Sequence, residues 1–415
     1  PMTVPTPDDI LAALDPEQRA VAQSSSGPMV VLAGAGTGKT RAITHRMAYA
    51  VSTGVHQPQR VLALTFTARA AGEMRTRLRG LGVTGVQART FHAAALRQLH
   101  YFWPQAVGGP APEVMPHKAG ALAEALGRLR LDVDRTALRD LASEVEWAKV
   151  ALVAPEGYAA AARAARRDPP AGLDHTAMAR VMSTYEEVKA ERGVMDFEDV
   201  LLVLLGILRE RDDIARTIRG QYRHFLVDEF QDVSPLQHAL LLEWLGERTD
   251  LCVVGDPAQT IYSFAGASAD FLTGFTSRYP GAAVVHLVRN YRSTPQVVNL
   301  ANALLTGPGG TRRSGSVELV SQRPAGTAPT CTAHEDDQAE ARAVAAAVRA
   351  GLDGGGSASS IAVLFRTNGQ SEALEAALAE QDIPYLVRGG ERFFQRREVR
   401  GAIVLLRGAV RGDDG

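Results

Sequence analysis

The sequence predicts an α/β fold built on a parallel sheet, and three observations carry that prediction. A glycine-rich turn lies between a short apolar run and a helix. A second apolar run ends in paired acids, and further short apolar runs carry polar residues at their ends. Strands that alternate with helices, with polar loops at one edge, describe a parallel sheet covered on both faces.

The first element is Met29-Val30-Val31-Leu32, short and apolar enough for a buried strand. Ala33-Gly34-Ala35-Gly36-Thr37-Gly38-Lys39-Thr40 follows and fits x-x-x-x-x-G-K-[ST], with Ala33 where Gly is usual. Arg41 to Tyr49 reads as the next helix. A strand, a tight turn and a helix N-terminus together turn several backbone N–H groups toward one point, a geometry suited to phosphate. The backbone of Ala35, Gly36, Thr37, Gly38, Lys39, Thr40 and Arg41 would then surround a nucleotide phosphate. Lys39 would reach the terminal phosphates and the Thr40 hydroxyl would ligate Mg²⁺.

Next, Val61-Leu62-Ala63-Leu64 ends in Thr65-Phe66-Thr67 and an Arg-rich helix from Ala68 to Arg79. Phe225-Leu226-Val227 delivers Asp228 and Glu229 to the C-terminal edge, where ligands of open α/β sheets sit. Asp228 would hold Mg²⁺ directly or through water, and Glu229 would orient and deprotonate a water for attack on a γ-phosphate. Read alone, the same residues also describe a solvated acidic loop. Leu251-Cys252-Val253-Val254 repeats the pattern, and its turn, Gly255 to Gln259, puts Gln259 where it could sense that phosphate.

With 415 residues the chain has room for two or three domains, each with its own core. Cys252 and Cys331, both in apolar strand-like segments, suggest a reducing compartment without disulfides. No Cys/His cluster suggests zinc, no signal peptide is evident, and no apolar run is long enough to span a bilayer. The 45 basic and 46 acidic residues nearly cancel, so any nucleic-acid binding must come from local basic clusters and aromatics.

The ordered set Gln18, AGAGTGKT, ALTFTARAAGEMRTR, TFH, MDFEDVLL, FLVDEFQD, VVGDPAQTIYSFAGA and LVRNYRS resembles the UvrD/Rep/PcrA family of superfamily-one DNA helicases. The likeness continues through Ile361 to Asn368 and Phe393 to Glu398, and so covers nearly the whole chain. The run Ser263 to Ala267 and the Ala/Arg/Gly-rich composition are similar to the second UvrD-type subgroup of actinobacteria.

The resemblance implies a RecA-like fold that binds ATP and Mg²⁺ and moves 3′→5′ on DNA in repair or replication. Gln18 would read the adenine edge, Tyr291 would stack on the base, and Arg292 would act as an arginine finger. An Arg facing developing phosphoryl charge speeds transfer by orders of magnitude. Phe66, Tyr262 and Phe264 would stack on bases of single-stranded DNA, a sequence-tolerant contact, and Phe197 would line another base pocket. Thr65, Arg69, Thr90 and His92 would touch the sugar-phosphate backbone. Ala265 stands where the family usually has Arg, and Phe264 where it usually has Trp, which removes one cation and shrinks the platform.

The organisation expected is a RecA-like domain of residues 8–105 and 193–280, a helical insertion of residues 106–192, and a partial second RecA-like domain of residues 281–415. Arg163, Arg166 and Arg167 are expected on one helix broken by Pro169-Pro170, as a solvated face or, alternatively, a duplex-contacting surface. Gly351 to Ser360 reads as a surface loop. Two family motifs have no match before Gly415, so a truncated helicase is expected, with an ATP- and DNA-binding module without unwinding as the alternative. A small-molecule kinase would share the phosphate loop but not Phe66, Phe264 or the NYRS run. The expected partners are single-stranded and partly duplex DNA, with repair proteins possible and no membrane. A monomer at the nucleoid of a bacterial cytoplasm is the expected setting.

Overall fold

A computed structural model describes residues 5–388, which form two compact units parted between Ala328 and Pro329. The first holds an all-parallel sheet of six strands: β1 Met29–Ala33, β2 Val61–Thr65, β3 Gln87–Thr90, β4 His224–Val227, β5 Leu251–Gly255 and β6 Ala283–Leu287. Their spatial order is β3-β2-β4-β5-β1-β6. Val30 of β1 pairs with Val253 on one side and Val284 on the other.

Apolar runs suit these strands because both faces are covered. Val30, Leu62, Leu64, Val227 and Val253 face helices Phe91–Ala106, Phe197–Glu210 and Pro235–Leu245 through Leu99, Leu204, Leu241 and Trp244. Val31, Ala63, Leu226 and Val254, one residue out of phase, pack on Ile43 and Met47 of helix Lys39–Ser52 and on Met74 and Leu78 of helix Ala68–Gly80. The Trp244 indole N–H, buried in the first layer, donates to Gln98 Oε1 at 2.8 Å.

Between helices Phe91–Ala106 and Phe197–Glu210 the chain makes helices Ala119–Arg128, Arg135–Val150, Tyr158–Ala164 and His175–Arg192. These enclose a separate core that includes Leu122, Leu141, Tyr158, Met178 and Tyr185. Asp134 and Asp174 cap two of them by accepting the N–H groups of Ala137 and Ala177. A short parallel pairing of Glu113–Val114 with Val194–Met195 joins the segments that enter and leave the insertion.

Four expectations differ from what is found. Residues 283–287 complete the first sheet beside β1 rather than opening a second domain. The apolar strand β1 would otherwise be an exposed edge. Arg166 and Arg167 lie beyond their helix, which ends at Ala164. Arg166 takes φ 53, and the N–H groups of Arg166 and Arg167 close back on the carbonyls of Arg163 and Ala162. That left-handed closure stops the helix before the prolines are reached. Cys252 is buried in β5, but Cys331 is exposed and outside any regular element. Gly351, finally, belongs to a helix that runs on to Asp353.

The second unit has helices Asp337–Asp353 and Ser371–Glu380, packed through Ala341, Ala345, Ala377, Leu378 and Ile383, and no strand among its described residues. The run from Phe393 to Glu398 lies outside the described residues. No helix among the described residues is long and apolar enough to cross a membrane.

Candidate functional site

All six strands end in segments that matter, at the C-terminal edge of the sheet. β1 runs into the glycine-rich turn, where Gly36 (φ 74) and Gly38 (φ 78) are left-handed and Gly38 caps helix Lys39–Ser52. Only glycine takes these angles at little cost. A side chain would also collide: a Cβ on Gly38 would lie 2.5 Å from Gln18 Nε2, and one on Gly36 would lie 2.7 Å from Asn290 Nδ2. No backbone N–H from Ala35 to Arg41 has a hydrogen-bond partner among the described residues. That set of free donors at a helix N-terminus fits a phosphate group.

The turn is braced from two sides. Gln18, buried in helix Pro16–Gln23, donates Nε2 to the Thr37 carbonyl at 3.0 Å, and the Thr37 hydroxyl donates to the Gly34 carbonyl at 2.8 Å. From beyond β6, buried Asn290 donates to the Ala35 carbonyl at 2.6 Å. Its Oδ1 accepts the N–H groups of Arg292 and Ser293 at 3.0 and 2.7 Å, and the Tyr291 N–H reaches the Gly36 carbonyl at 2.9 Å. Asn290 thus fixes the Tyr291–Arg292 pair against the turn. Tyr291 donates its hydroxyl to Asp15 at 2.6 Å, and Arg41 reaches the Ala13 carbonyl. The Arg292 guanidinium is exposed and has no ion pair among the described residues.

Across the edge, β4 ends in Asp228, a buried acid whose only close donor among the described residues is the Glu229 N–H at 3.0 Å. Burial, and next the charge of Glu229, raises its pKa to about 6, with Lys39 opposing. A buried carboxylate short of donors at this edge fits a divalent cation. Glu229 takes the left-handed φ of 51 and pairs with Lys39 Nζ at 3.0 Å. Beyond β5, Gln259 donates Nε2 to Asp256 Oδ2 at 2.8 Å.

The same edge carries aromatic rings. Phe66, after β2, stacks on Tyr262 with centroids 4.9 Å apart, and Tyr262 lies 6.3 Å from Phe264, which is 70% exposed. Arg167 of the insertion donates Nη1 to the Phe264 carbonyl at 3.3 Å while its Nη2 pairs with buried Glu144 at 2.6 Å. Its guanidinium also lies over Trp147, 4.5 Å from the ring centroid. Neither expected role of Arg167, solvated face or free duplex contact, matches that placement: a buried partner acid draws it inward.

A second platform pairs exposed Phe197 with His92, parallel at 3.7 Å. Burial, and next the charge of Lys118, lowers the His92 pKa to about 4, so the ring is neutral. Phe197 opens its helix behind an Asp196–Asp199 capping box. Lys149 Nζ binds both of those acids at 2.7 Å, and Lys189 binds Asp199 at 2.5 Å. Glu186, Asp196 and Asp199 come close enough to hold a metal, but these two ammonium groups already sit among them.

Of the residues expected on a nucleic-acid backbone, Arg69 is exposed and paired with Glu73 at 2.9 Å. Thr90 caps helix Phe91–Ala106 by accepting the Ala93 N–H. Thr65 is 2% exposed and donates its hydroxyl to the Thr67 carbonyl, because it is the last buried residue of β2. The structure does not bring it to the surface. Asn290, Gln231, Lys149 and Lys189 escaped the sequence reading. Asn290 had a signal, its place in the NYRS run; the lysines are ordinary helix residues with none.

Fold and site together define a parallel α/β protein with a phosphate-type loop and exposed aromatics at one sheet edge. Residues 14–280 match the UvrD/REP helicase N-terminal domain and residues 285–415 the UvrD-like helicase C-terminal domain. The chain belongs to the UvrD/REP helicase family. It is 48% identical over 411 residues to the ATP-dependent DNA helicase UvrD2 of Mycobacterium tuberculosis, covering 96% of this chain and 58% of that protein. Identity to the ATP-dependent DNA helicase UvrD1 of the same organism is 33%, over 97% of this chain and 53% of the relative. With DNA helicase II of Escherichia coli it is 30%, over 98% and 55%. The chain therefore spans little more than half the length of these relatives.

Proposed function

We propose that the protein works as an ATP-dependent DNA helicase that moves 3′→5′ along single strands and serves repair or replication. One observation carries the reading: seven free N–H donors, the Lys39–Glu229 pair and the Phe66–Tyr262–Phe264 rings share one sheet edge. Nucleotide hydrolysis and strand contact are thereby close enough to be linked.

In this reading residues 35–41 cradle the β- and γ-phosphates and Lys39 turns from Glu229 to the γ-phosphate. Thr40 and Asp228 would hold Mg²⁺, which would supply positive charge against the phosphates. Glu229, freed of Lys39, takes the proton of the attacking water. Gln259 senses the γ-phosphate, and Arg292 faces the charge that develops on it. Gln18 and Tyr291 hold the adenine. Phe66, Tyr262, Phe264 and Phe197 stack on bases, while Arg69, Thr90 and His92 follow the sugar-phosphate chain. Thr65, buried as the last residue of β2, would join them only if the end of that strand opened. The domain division that goes with this is a RecA-like domain, a helical insertion and part of a second RecA-like domain, in a monomer with single-stranded and partly duplex DNA as partner.

Steady-state Mg²⁺-ATP hydrolysis, with and without single-stranded DNA and beside a Glu229→Gln control, tests the reading. Turnover that rises with DNA and disappears in the control supports it. ATP and DNA binding without turnover would favour the second reading, a binding module that does not unwind.

A further inference from the structure

Gln231 has a position that no role above explains. An amide can donate with its nitrogen and accept with its oxygen, so one buried side chain can tie two turns together. Gln231 is 1% exposed and lies between the turns that leave β4 and β5. Its Nε2 donates to Glu229 Oε2 at 2.8 Å and, more weakly, to Asp232 Oδ2 at 3.3 Å. Its Oε1 accepts the Asp256 N–H at 3.0 Å. β5 ends in Gly255, and a Cβ there would sit 2.5 Å from that Oε1. The glycine is what lets the amide reach across.

Both ends of the segment that carries Gln259 and Tyr262 touch this amide or its neighbour. Asp256 opens the segment and is held by Gln231 itself. At the far end the N–H groups of Ile261 and Tyr262 face the Asp232 carboxylate, whose buried Oδ1 has no hydrogen-bond partner among the described residues. Tyr262 in turn stacks on Phe66. Lys39 and Gln231 share one oxygen of Glu229, at 3.0 and 2.8 Å. Once a phosphate draws Lys39 away, Gln231 is the side chain left to set the direction of that carboxylate.

We propose that Gln231 is a positioning residue that couples the aromatic strand-binding loop to Glu229. A base stacking on Tyr262 and Phe264 shifts the 256–262 segment, and the Gln231 amide carries that shift to the carboxylate. The inference rests on the proposed nucleotide- and strand-binding function. Coupling between two sites is reciprocal, so it is readable as the change one ligand makes in the affinity for the other.

The test uses the full chain, a fluescent ATP analogue and an oligothymidylate. Analogue affinity is measured with and without the oligomer for the wild type, Gln231→Leu and Gly255→Ala, each checked for native circular dichroism and melting. The wild type should show a ratio in the range of about 5- to 150-fold typical of coupled sites, and the ratio should fall toward one in both variants while each ligand alone still binds. A purely structural role would weaken both affinities and leave the ratio intact, and that result overturns the proposal. If Gln231→Leu does not fold, Gly255→Ala decides, because it displaces the amide without removing it. A wild type that binds neither ligand would overturn the proposed function as well, before any variant is compared.

Discussion

Lys39 Nζ and Glu229 Oε2 lie 3.0 Å apart and join the loop after β1 to the turn after β4. The pair holds the ammonium at the rim of seven unpartnered N–H groups, where a phosphate oxygen would compete for it. In the proposed function, nucleotide binding and release of the Glu229 carboxylate are one event, and the pair keeps that base occupied until its substrate is in place.

Lys39→Ala is therefore expected to abolish nucleotide binding or turnover in the full-length protein. Glu229→Gln should keep binding and lower turnover by about 10²- to 10⁴-fold, the usual contribution of a general base. Analogue titration and phosphate release measure the two quantities. Unchanged turnover in either variant would remove these residues from the site.

Phe264 projects furthest of the three aligned rings. Its replacement by Ala should weaken binding to single-stranded DNA by about 1–3 kcal/mol, the worth of one base–aromatic stack. Phe264→Trp should strengthen it, since the larger face covers more of a base. Fluorescence anisotropy at fixed salt reads both, and equal affinities would place the strand elsewhere.

Arg167 holds the Phe264 carbonyl from the helical insertion and neutralises Glu144, which also accepts the Tyr158 hydroxyl at 2.8 Å. Arg167→Ala would leave that acid buried and unpaired, at a cost of about 3 kcal/mol, the low end for a broken buried pair because Arg167 keeps some solvent contact. Urea unfolding should show the loss, and adding Glu144→Gln should restore most of it. A single variant as stable as the wild type would mean that the pair is unimportant to the fold.

The His92 pKa is lowered to about 4, chiefly by burial. In the unfolded chain its proton binds near pH 6.5, so the stability this ring contributes is complete above that value. It declines as the pH falls from 6.5 toward 4 and changes no further below. Removing the stacked ring with Phe197→Ala should expose the imidazole and raise its pKa toward the ordinary value. Histidine NMR titration follows that shift directly, and an unmoved pKa would show that Phe197 does not shield it.

What was legible in the sequence was local. The runs 29–32, 61–64, 225–227 and 251–254 all lie inside observed strands, because a strand buried on both faces needs a continuous apolar run. The helix after the phosphate-type turn begins two residues before Arg41, since Gly38 in its left-handed form caps it directly. Where the reading failed, a distant partner decided. Arg167 looked like one of three helical arginines until Glu144 and Phe264 were brought to it, the latter 97 positions away.

By itself the sequence determined the parallel α/β class, the phosphate-type turn and the acids and aromatics that follow the strands. Each depends on residues that are neighbours in the chain. Only the tertiary structure decided that β6 completes the first sheet, that Asn290 braces a turn 255 positions earlier, that Lys149 reaches Asp196, and that Gln231 ties Glu229 to Asp256. The physical reason is common to all four. A buried polar group or an apolar edge must find a partner, and which partner it finds is fixed by packing rather than by spacing along the chain.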